Sequence, residues 1–165
     1  MTTQSDTIIV LGVGNILLKD EGVGVKVVEE LQRRYDFPDH VKVVDGGTQG
    51  LWLMATLQEA RHLIVVDAVR GGGPPGTLYR LEKEDLPTGL RAKQSAHDSD
   101  LVEALNLCKL VDTGPETVVV VGIEPADIQP FGLELTDAVA SKVDELIDRV
   151  VGELKNLGVE PQKRF

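Results

Sequence analysis

Apolar and polar positions follow one another along this chain in a regular succession of two patterns. Short runs that are apolar throughout and rich in β-branched residues are typical of strands buried on both faces; they span 7–15, 41–47, 62–69 and 117–125. Apolar residues at helical spacing predict helices between and after these runs, at 22–35, 51–60, 99–111 and 135–158. The alternation predicts an α/β fold: a three-layer sandwich in which helices flank both faces of a twisted, mostly parallel sheet.

Two stretches interrupt this succession. RGGGPPG at 70–76 cannot continue a strand or a helix and predicts a loop, and its triple glycine predicts a loose one. TLYRLE at 77–82 then predicts an edge strand returning from that loop. The stretch 85–99 is expected to be mostly irregular.

The last helix has recognisable start and stop signals. Thr136 is expected to cap it, and Gly158 suits its C-terminal stop. The tail after Gly158 is expected to fray. Because no linker divides the chain, we expect a single domain over 1–165, with an ordered core at about 7–158.

Composition narrows the classes of partner. The formal net charge is -10 over 165 residues, and so acidic a chain repels nucleic acid and anionic membrane surfaces, so that neither is expected as a partner. Cys108 is the only cysteine, which excludes an internal disulfide and a thiolate cage for zinc. The opening MTTQSD is polar and the apolar run after it is too short to span a bilayer, so we expect a cytoplasmic protein.

The segment GVGNILLKDEGVGVKVV, which opens at Gly12, has some features of a nucleotide-binding turn. Gly12 and Gly14 follow the first apolar run, as in the opening of a dinucleotide fingerprint. Asp45 ends the second run, where a ribose-binding acid would sit. This arrangement alone would favour a bound nucleotide.

Three other features of the segment oppose that interpretation. Leu17 occupies the third glycine position, and the helix cannot easily begin before about Gly22. Asp20 and Glu21 then lie at the helix N-terminus, where a phosphate would have to bind. Because these carboxylates would repel a pyrophosphate, the loop is better suited to a cation.

Two further residues could complete a cation site with Glu21. Asp67 ends the third apolar run, and His97 lies in an irregular stretch before a helix. Two carboxylate oxygens and one imidazole nitrogen suit a borderline divalent metal such as zinc or nickel. Plainer roles remain open: Glu21 as a helix-dipole acid, Asp67 as an acid held by backbone amides, and His97 as a solvated side chain.

Six short motifs, taken in order, resemble the hydrogenase maturation endopeptidases, which trim the large subunit of nickel–iron hydrogenases. They are GVGNILLKDEGVGV, DGGTQG, LIVVDAV, GGPPGT, SAHDSDLVEAL and VGIEP, and the resemblance runs from about residue 7 to about residue 157. The first motif is the most specific, because G-x-G-N-x-L-x-x-D-E/D-x-x-G matches without a gap. The known fold of that family agrees with the predicted sandwich.

The resemblance implies a substrate and a set of site residues. The family's metal-binding positions fall on Glu21, Asp67 and His97, and Asp45 matches a loop position implicated in handling the substrate. The substrate implied is a large-subunit precursor already loaded with nickel, from which an aspartic-type endopeptidase removes a C-terminal extension. Nickel is then carried by the substrate, and zinc or cadmium could replace it in a crystal.

The sequence holds no convincing covalent nucleophile for such a cleavage. Cys108 falls on the apolar stripe of its helix, and neither a G-x-S-x-G nor an H-E-x-x-H motif occurs. Metal-activated water or a metal-polarised carbonyl remains, with Asp45 or an acid beside Glu21 as general base. We therefore expect Asp45, Glu21 and Asp67 to be catalytic. The alternative is a non-enzymatic nickel-binding assembly factor on the same fold.

Overall fold

The computed structural model describes residues 6–47, 53–85, 112–128 and 132–164. The strands are β1 (Ile8–Val13), β2 (Tyr35–Asp36), β3 (Val41–Gly47), β4 (His62–Ala68), β5 (Leu78–Glu82), β6 (Thr117–Ile123) and β7 (Gln162–Lys163). The helices are α1 (Val23–Arg34), α2 (Leu53–Glu59), α3 (Asp137–Ala140) and α4 (Val143–Asn156), with 3-10 turns at Lys19–Gly22 and Lys83–Asp85. The predicted helix at 99–111 and, apart from Asp85, the predicted irregular stretch lie outside the described residues.

The main sheet has five strands in the order β3-β1-β4-β6-β5. β1 pairs in parallel with β3 and β4, and β4 with β6, whereas β5 is an antiparallel edge strand as predicted. The α/β class and the mostly parallel sheet are thus confirmed. Because the chain moves from β1 to β3 on one side and then to β4 on the other, the winding reverses between β1 and β4. In such sheets a ligand crevice forms at that point, outside the carboxyl ends of the strands.

Helices cover both faces of this sheet. Ile8 and Val10 of β1 belong to the hydrophobic cluster formed with α1 and α4, whereas Ile9 and Leu11 belong to the cluster formed with α2. Successive residues of a strand point to opposite faces, so a strand buried on both sides must be apolar at every position. This explains why the sequence shows continuous apolar runs rather than alternation.

The last helical region differs from the single helix predicted at 135–158. It is interrupted between α3 and α4. The Ser141 hydroxyl donates to the Ala138 carbonyl at 3.3 Å, and the Lys142 N–H donates to Val139, three residues back, at 2.9 Å. A side-chain hydroxyl therefore takes the carbonyl that Lys142 would use in a regular α-helix, and the backbone tightens there.

The C-terminal tail does not fray, contrary to the sequence prediction. Gly158 has a φ of +86° and stops the helix as expected. Val159 is buried in the cluster with α1 and α4, and β7 then pairs antiparallel with β2. The Arg164 N–H also donates to the Arg34 carbonyl at 2.8 Å, so α1 holds the tail.

Helix α1 begins in close backbone contact with the ends of β1 and β4. A Cβ added at Gly24 would lie 2.1 Å from the Val66 carbonyl oxygen and 2.6 Å from that of Val13. Any side chain would therefore push α1 away from both strands. This contact fixes the start of α1, and the turn before it, against the carboxyl end of β4.

Two glycine-to-alanine changes in helices test this contact because they should act in opposite directions. Gly152 lies in α4 with nothing within 4 Å of its added Cβ, so Gly152→Ala should raise the free energy of unfolding by up to about 1 kcal/mol. Gly24→Ala should lower it by about 1–3 kcal/mol, since overpacking outweighs helix propensity. Urea denaturation followed by circular dichroism measures both, and equal stabilisation by the two changes would refute the close approach.

Candidate functional site

Buried acids collect at the carboxyl edge of the sheet. Among the described residues, the buried acids and their exposed fractions are Asp20 (0%), Glu21 (4%), Asp67 (4%) and Glu124 (5%). They lie in the loop after β1, at the end of β4 and directly after β6, which are neighbouring strands. Because parallel strands end at the same edge, the fold brings these carboxylates to one side of the molecule.

Glu21 occupies the 3-10 turn between β1 and α1. Its N–H donates to the Leu18 carbonyl at 3.2 Å, and Cα atoms of this turn lie within 8 Å of Cα atoms in β4. Gly14 has a φ of +130°, and a Cβ there would lie 1.8 Å from the Glu21 carbonyl oxygen. The glycines of the opening motif therefore shape a loop that carries buried acids beside β4.

Asp67 is the second predicted site residue on this edge. Its Oδ1 accepts the N–H of Ala68 at 2.8 Å, which orients the carboxylate. Ile64 and Val66 of the same strand face α1 and α4, so alternation puts Asp67 on the opposite face. The structure thus brings the turn of Glu21 and the strand of Asp67 next to each other at the topological switch point.

Asp45 lies farther away than the sequence motif suggests. It is exposed, and it pairs in register with Gly12 on β1, which in turn pairs with Val66 on β4. Because β1 lies between β3 and β4, these two strands are two interstrand spacings apart, which is roughly 10 Å. Val43 faces α1, so alternation puts Asp45 on that face as well, away from Asp67. Asp45 is therefore not placed to share an ion with Asp67.

The third predicted metal ligand, His97, lies outside the described residues, as does Cys108. Within the described ranges, no group of three or more His, Cys, Asp or Glu side chains is arranged to hold a metal ion. The complete set of Glu21, Asp67 and His97 stays a prediction.

Asp20 has a different role from its neighbour Glu21. Its carboxylate accepts the N–H groups of Ala126 and Asp127 at 2.8 and 3.0 Å. It also accepts both the N–H and the hydroxyl of Thr136, each at 2.8 Å. Thr136 is the N-cap residue of α3, as expected, but makes no side-chain cap bond, because its hydroxyl is bound to Asp20. Sequence reasoning missed this role, since the partners lie more than 100 residues away along the chain.

Glu124 is the other buried acid that sequence reasoning left without a role. Its Oε1 accepts the Gly71 N–H at 2.8 Å and the Tyr79 hydroxyl at 2.6 Å, and that hydroxyl accepts the Gly73 N–H at 3.0 Å. A Cβ at Gly71 would lie 2.6 Å from the Tyr79 ring. The prediction of a loose glycine loop is therefore wrong. The available signal was an acid directly after a buried strand, as at Asp67.

A separate cavity lies at the amino ends of β4 and β6, away from these acids. Its basic side chains, Arg80 and Lys83, already have partners. Arg80 pairs with Glu153 and Glu82, at 2.7 and 2.8 Å, and Lys83 Nζ donates to the Pro115 carbonyl at 2.9 Å. The carboxyl edge, where buried acids meet the switch point, is the better candidate for chemistry.

The similarity to known proteins extends over nearly the whole chain. A sequence model described as hydrogenase maturation protease matches residues 25–153. The hydrogenase 2 maturation protease of Escherichia coli K12 is 38% identical over 154 residues, which are 93% of each chain. The chain belongs to the hydrogenase maturation protease family.

Other members of the hydrogenase maturation protease family agree in sequence and structure. The hydrogenase expression/formation protein HupD of Bradyrhizobium diazoefficiens is 40% identical over 165 residues, covering 99% of this chain and 85% of that one. The hydrogenase maturating endopeptidase HybD of Escherichia coli superposes with a TM-score of 0.91 at 36% identity, covering 96% of this chain and 98% of that one. The resemblance inferred from six motifs is confirmed, and the protein is a peptide hydrolase.

The maturation protease match includes three of the predicted site residues. Asp45, Asp67 and His97 fall within the matched residues 25–153, whereas Glu21 precedes them.

Among the described residues, no helix has both the length and the apolar character that crossing a bilayer requires.

The Glu124 contacts predict an abnormal titration of Tyr79 in this protease. Burial and the neighbouring Glu124 carboxylate raise the pKa of Tyr79 above its ordinary value of 10.0. The stability contributed by the neutral hydroxyl is therefore fully present below pH 10 and is lost as the pH rises further.

A pH titration of tyrosinate absorbance, with Tyr79→Phe subtracted, isolates this group. Glu124→Gln should shift its titration to lower pH, because one of the causes of the raised pKa is then removed. A Tyr79 that ionises at or below its ordinary pKa in the folded protein would contradict the contact.

Proposed function

We propose that this protease removes a C-terminal extension from the nickel-loaded precursor of a nickel–iron hydrogenase large subunit, and that cleavage depends on the metal. The observation that carries the proposal is that Glu21 and Asp67 are both buried and that the turn carrying Glu21 lies beside β4, which carries Asp67, at the topological switch point. The Escherichia coli relative named hydrogenase 2 maturation protease supports the choice of substrate class. The cytoplasm is the proposed compartment.

A divalent cation suits the electrostatics of this pair. Each carboxylate loses hydration on burial, and two of them brought to one ion would repel each other. A shared cation offsets both effects. The Ala68 N–H bound to Asp67 Oδ1 would fix the orientation of that ligand, as outer partners of metal ligands commonly do.

The proposed ligands also suit a nickel ion that the substrate carries. Glu21 and Asp67 supply oxygens and His97 supplies a nitrogen, a mixture that suits borderline divalent metals. The three side chains complete the coordination of a nickel ion that the precursor already carries. A precursor without nickel lacks this shared contact and binds more weakly, so the enzyme acts only after metal loading. Zinc or cadmium fits the same donors and would substitute in a crystal.

The hydrolytic step is assigned to residues on the same edge. The oxygen of a water molecule attacks the scissile carbonyl carbon, and Asp45 accepts the water proton as general base. The carbon–nitrogen bond then breaks, and Asp45 returns this proton to the leaving nitrogen. Asp45 is exposed and lies roughly 10 Å from β4, on the other face of the sheet from Asp67, so an extended peptide must cross the carboxyl edge from one face to the other to reach both.

Nickel dependence is tested by offering the enzyme the same precursor in nickel-loaded and nickel-free forms. Mass spectrometry of the large subunit should show shortening of the loaded form only. Glu21→Gln, Asp67→Asn and His97→Gln should each lower kcat/KM by about a hundredfold or more, since even outer-shell partners contribute 10–100-fold.

Asp45→Asn should lower kcat by a similar amount, as expected for a lost general base. Glu29→Gln, at an exposed position on α1, is the matched control and should cleave normally. Equal cleavage of the two precursor forms would refute nickel dependence. Normal activity of all three ligand variants would refute the site assignment.

A further inference from the structure

One short segment after β6 contacts both the turn that carries Glu21 and the loop that follows β4 and Asp67, which we call the Asp67 loop. We call residues Glu124–Asp127 the β6 brace. At one end the Glu124 side chain binds the loop that follows Asp67. At the other end the N–H groups of Ala126 and Asp127 bind Asp20, which directly precedes Glu21.

The contact with the Glu21 loop runs in both directions. Asp127 donates its N–H to the Asp20 carboxylate at 3.0 Å, and its carbonyl accepts the Asp20 N–H at 3.1 Å. The Asp127 carboxylate also pairs with Lys19 Nζ at 2.8 Å. Lys19 has a φ of +52°, an unusual value for a side chain other than glycine, which these bonds help to hold.

The contact with the Asp67 loop is equally complete. The Glu124 N–H donates to the Thr77 carbonyl at 2.8 Å, and the Glu124 carbonyl accepts the Gly76 N–H at 2.9 Å. Its side chain binds Gly71 and Tyr79, as described above. Every hydrogen-bonding group of the Glu124 backbone thus engages the chain that returns from Asp67.

The brace itself is stiff. Pro125, between its two ends, is buried and has a fixed φ. Asp20 and Glu124 are themselves buried, so their hydrogen bonds do not compete with bulk water. The segment between the two ends therefore has few backbone bonds that can rotate.

We propose that the β6 brace sets the separation of Glu21 and Asp67, and that Asp20 and Glu124 are positioning residues for cleavage. This inference rests on the function proposed above for Glu21 and Asp67. Metal ligands and catalytic groups must be held within a fraction of an ångström, and misplacement by about 1 Å can cost a hundredfold in rate. The brace supplies that constraint between Glu21 and Asp67, which are 46 residues apart in sequence.

Amide hydrogen exchange of the free enzyme tests the coupling without any substrate. Glu124→Gln weakens only contacts to the Asp67 loop, yet it should speed exchange in peptides covering Lys19–Gly24 as well as those covering 70–76. Tyr79→Phe, which removes a single hydroxyl, should do the same more weakly. Faster exchange confined to 70–76 would overturn the brace.

The matched control is Glu153→Gln. Glu153 pairs with Arg80 at 2.7 Å and shares no hydrogen bond with the brace in the described structure. Its loss should lower thermal stability without changing exchange at Lys19–Gly24. A control that loosens the turn as much as Glu124→Gln would mean that the effect is general destabilisation, and would overturn the proposal.

Kinetics on the nickel-loaded precursor give the second measurement. Asp20→Asn and Glu124→Gln should lower kcat by about 10–100-fold at a temperature where both stay folded, and Glu153→Gln should not. Thr136→Val, which removes one donor to Asp20, should lower kcat less, and Thr136→Ser should keep it. Wild-type kcat in folded Asp20→Asn and Glu124→Gln would overturn the brace. A wild-type enzyme that fails to cleave would instead count against the proposed function, while the exchange result stands on its own.

Discussion

The structure depends on a parallel sheet that is buried on both faces. Strands β1 and β4 are apolar at nearly every position because α1 and α4 cover one face and α2 covers the other. Buried carboxylates are therefore found at the carboxyl edge, where the loops after β1 and β4 diverge. Asp67 reaches that edge near the end of β4 and Glu21 in the turn after β1, and the bare backbone of Gly24 lets α1 start against β4.

The buried acids on this edge have two different proposed roles. Asp20 and Glu124 accept backbone N–H groups and hydroxyls from distant parts of the chain, which stabilises their charge and fixes the loops. Glu21 directly follows Asp20 in the same turn. Asp67 lies in β4, and the loop that follows β4 binds Glu124. We interpret the first pair as structural anchors and the second as ligands for the metal of the substrate. On the proposed function, the opening motif is negative because one of its acids, Asp20, holds the loop and the other, Glu21, binds the metal of the substrate.

The parts of the fold that follow from local pattern could be predicted from the sequence. Continuous apolar runs located β1, β3, β4 and β6, and the acids after them indicated the edge of the sheet at which buried acids collect. The interruption before α4 was missed because it depends on one hydroxyl, that of Ser141, competing for a backbone carbonyl. The ordered tail was missed because β7 pairs with β2, more than 120 residues earlier in the chain.

For the candidate site, too, local sequence patterns could not predict contacts between residues far apart in the chain. Motif order indicated Glu21, Asp67 and the family, but nothing near Asp20 in sequence shows that its partners are Ala126, Asp127 and Thr136. Glu124 was overlooked because its donors, Gly71 and Tyr79, belong to a loop whose composition predicts looseness. Contacts between residues far apart in the chain decide which buried acid is structural, and periodicity carries no information about them.

A crystal structure of this protein soaked with a divalent metal tests the central claim most directly. The account predicts one ion with carboxylate oxygens of Glu21 and Asp67 and a ring nitrogen of His97 at coordination distance, about 2.0–2.2 Å. An ion that binds elsewhere, or that contacts only one of these side chains, would contradict it.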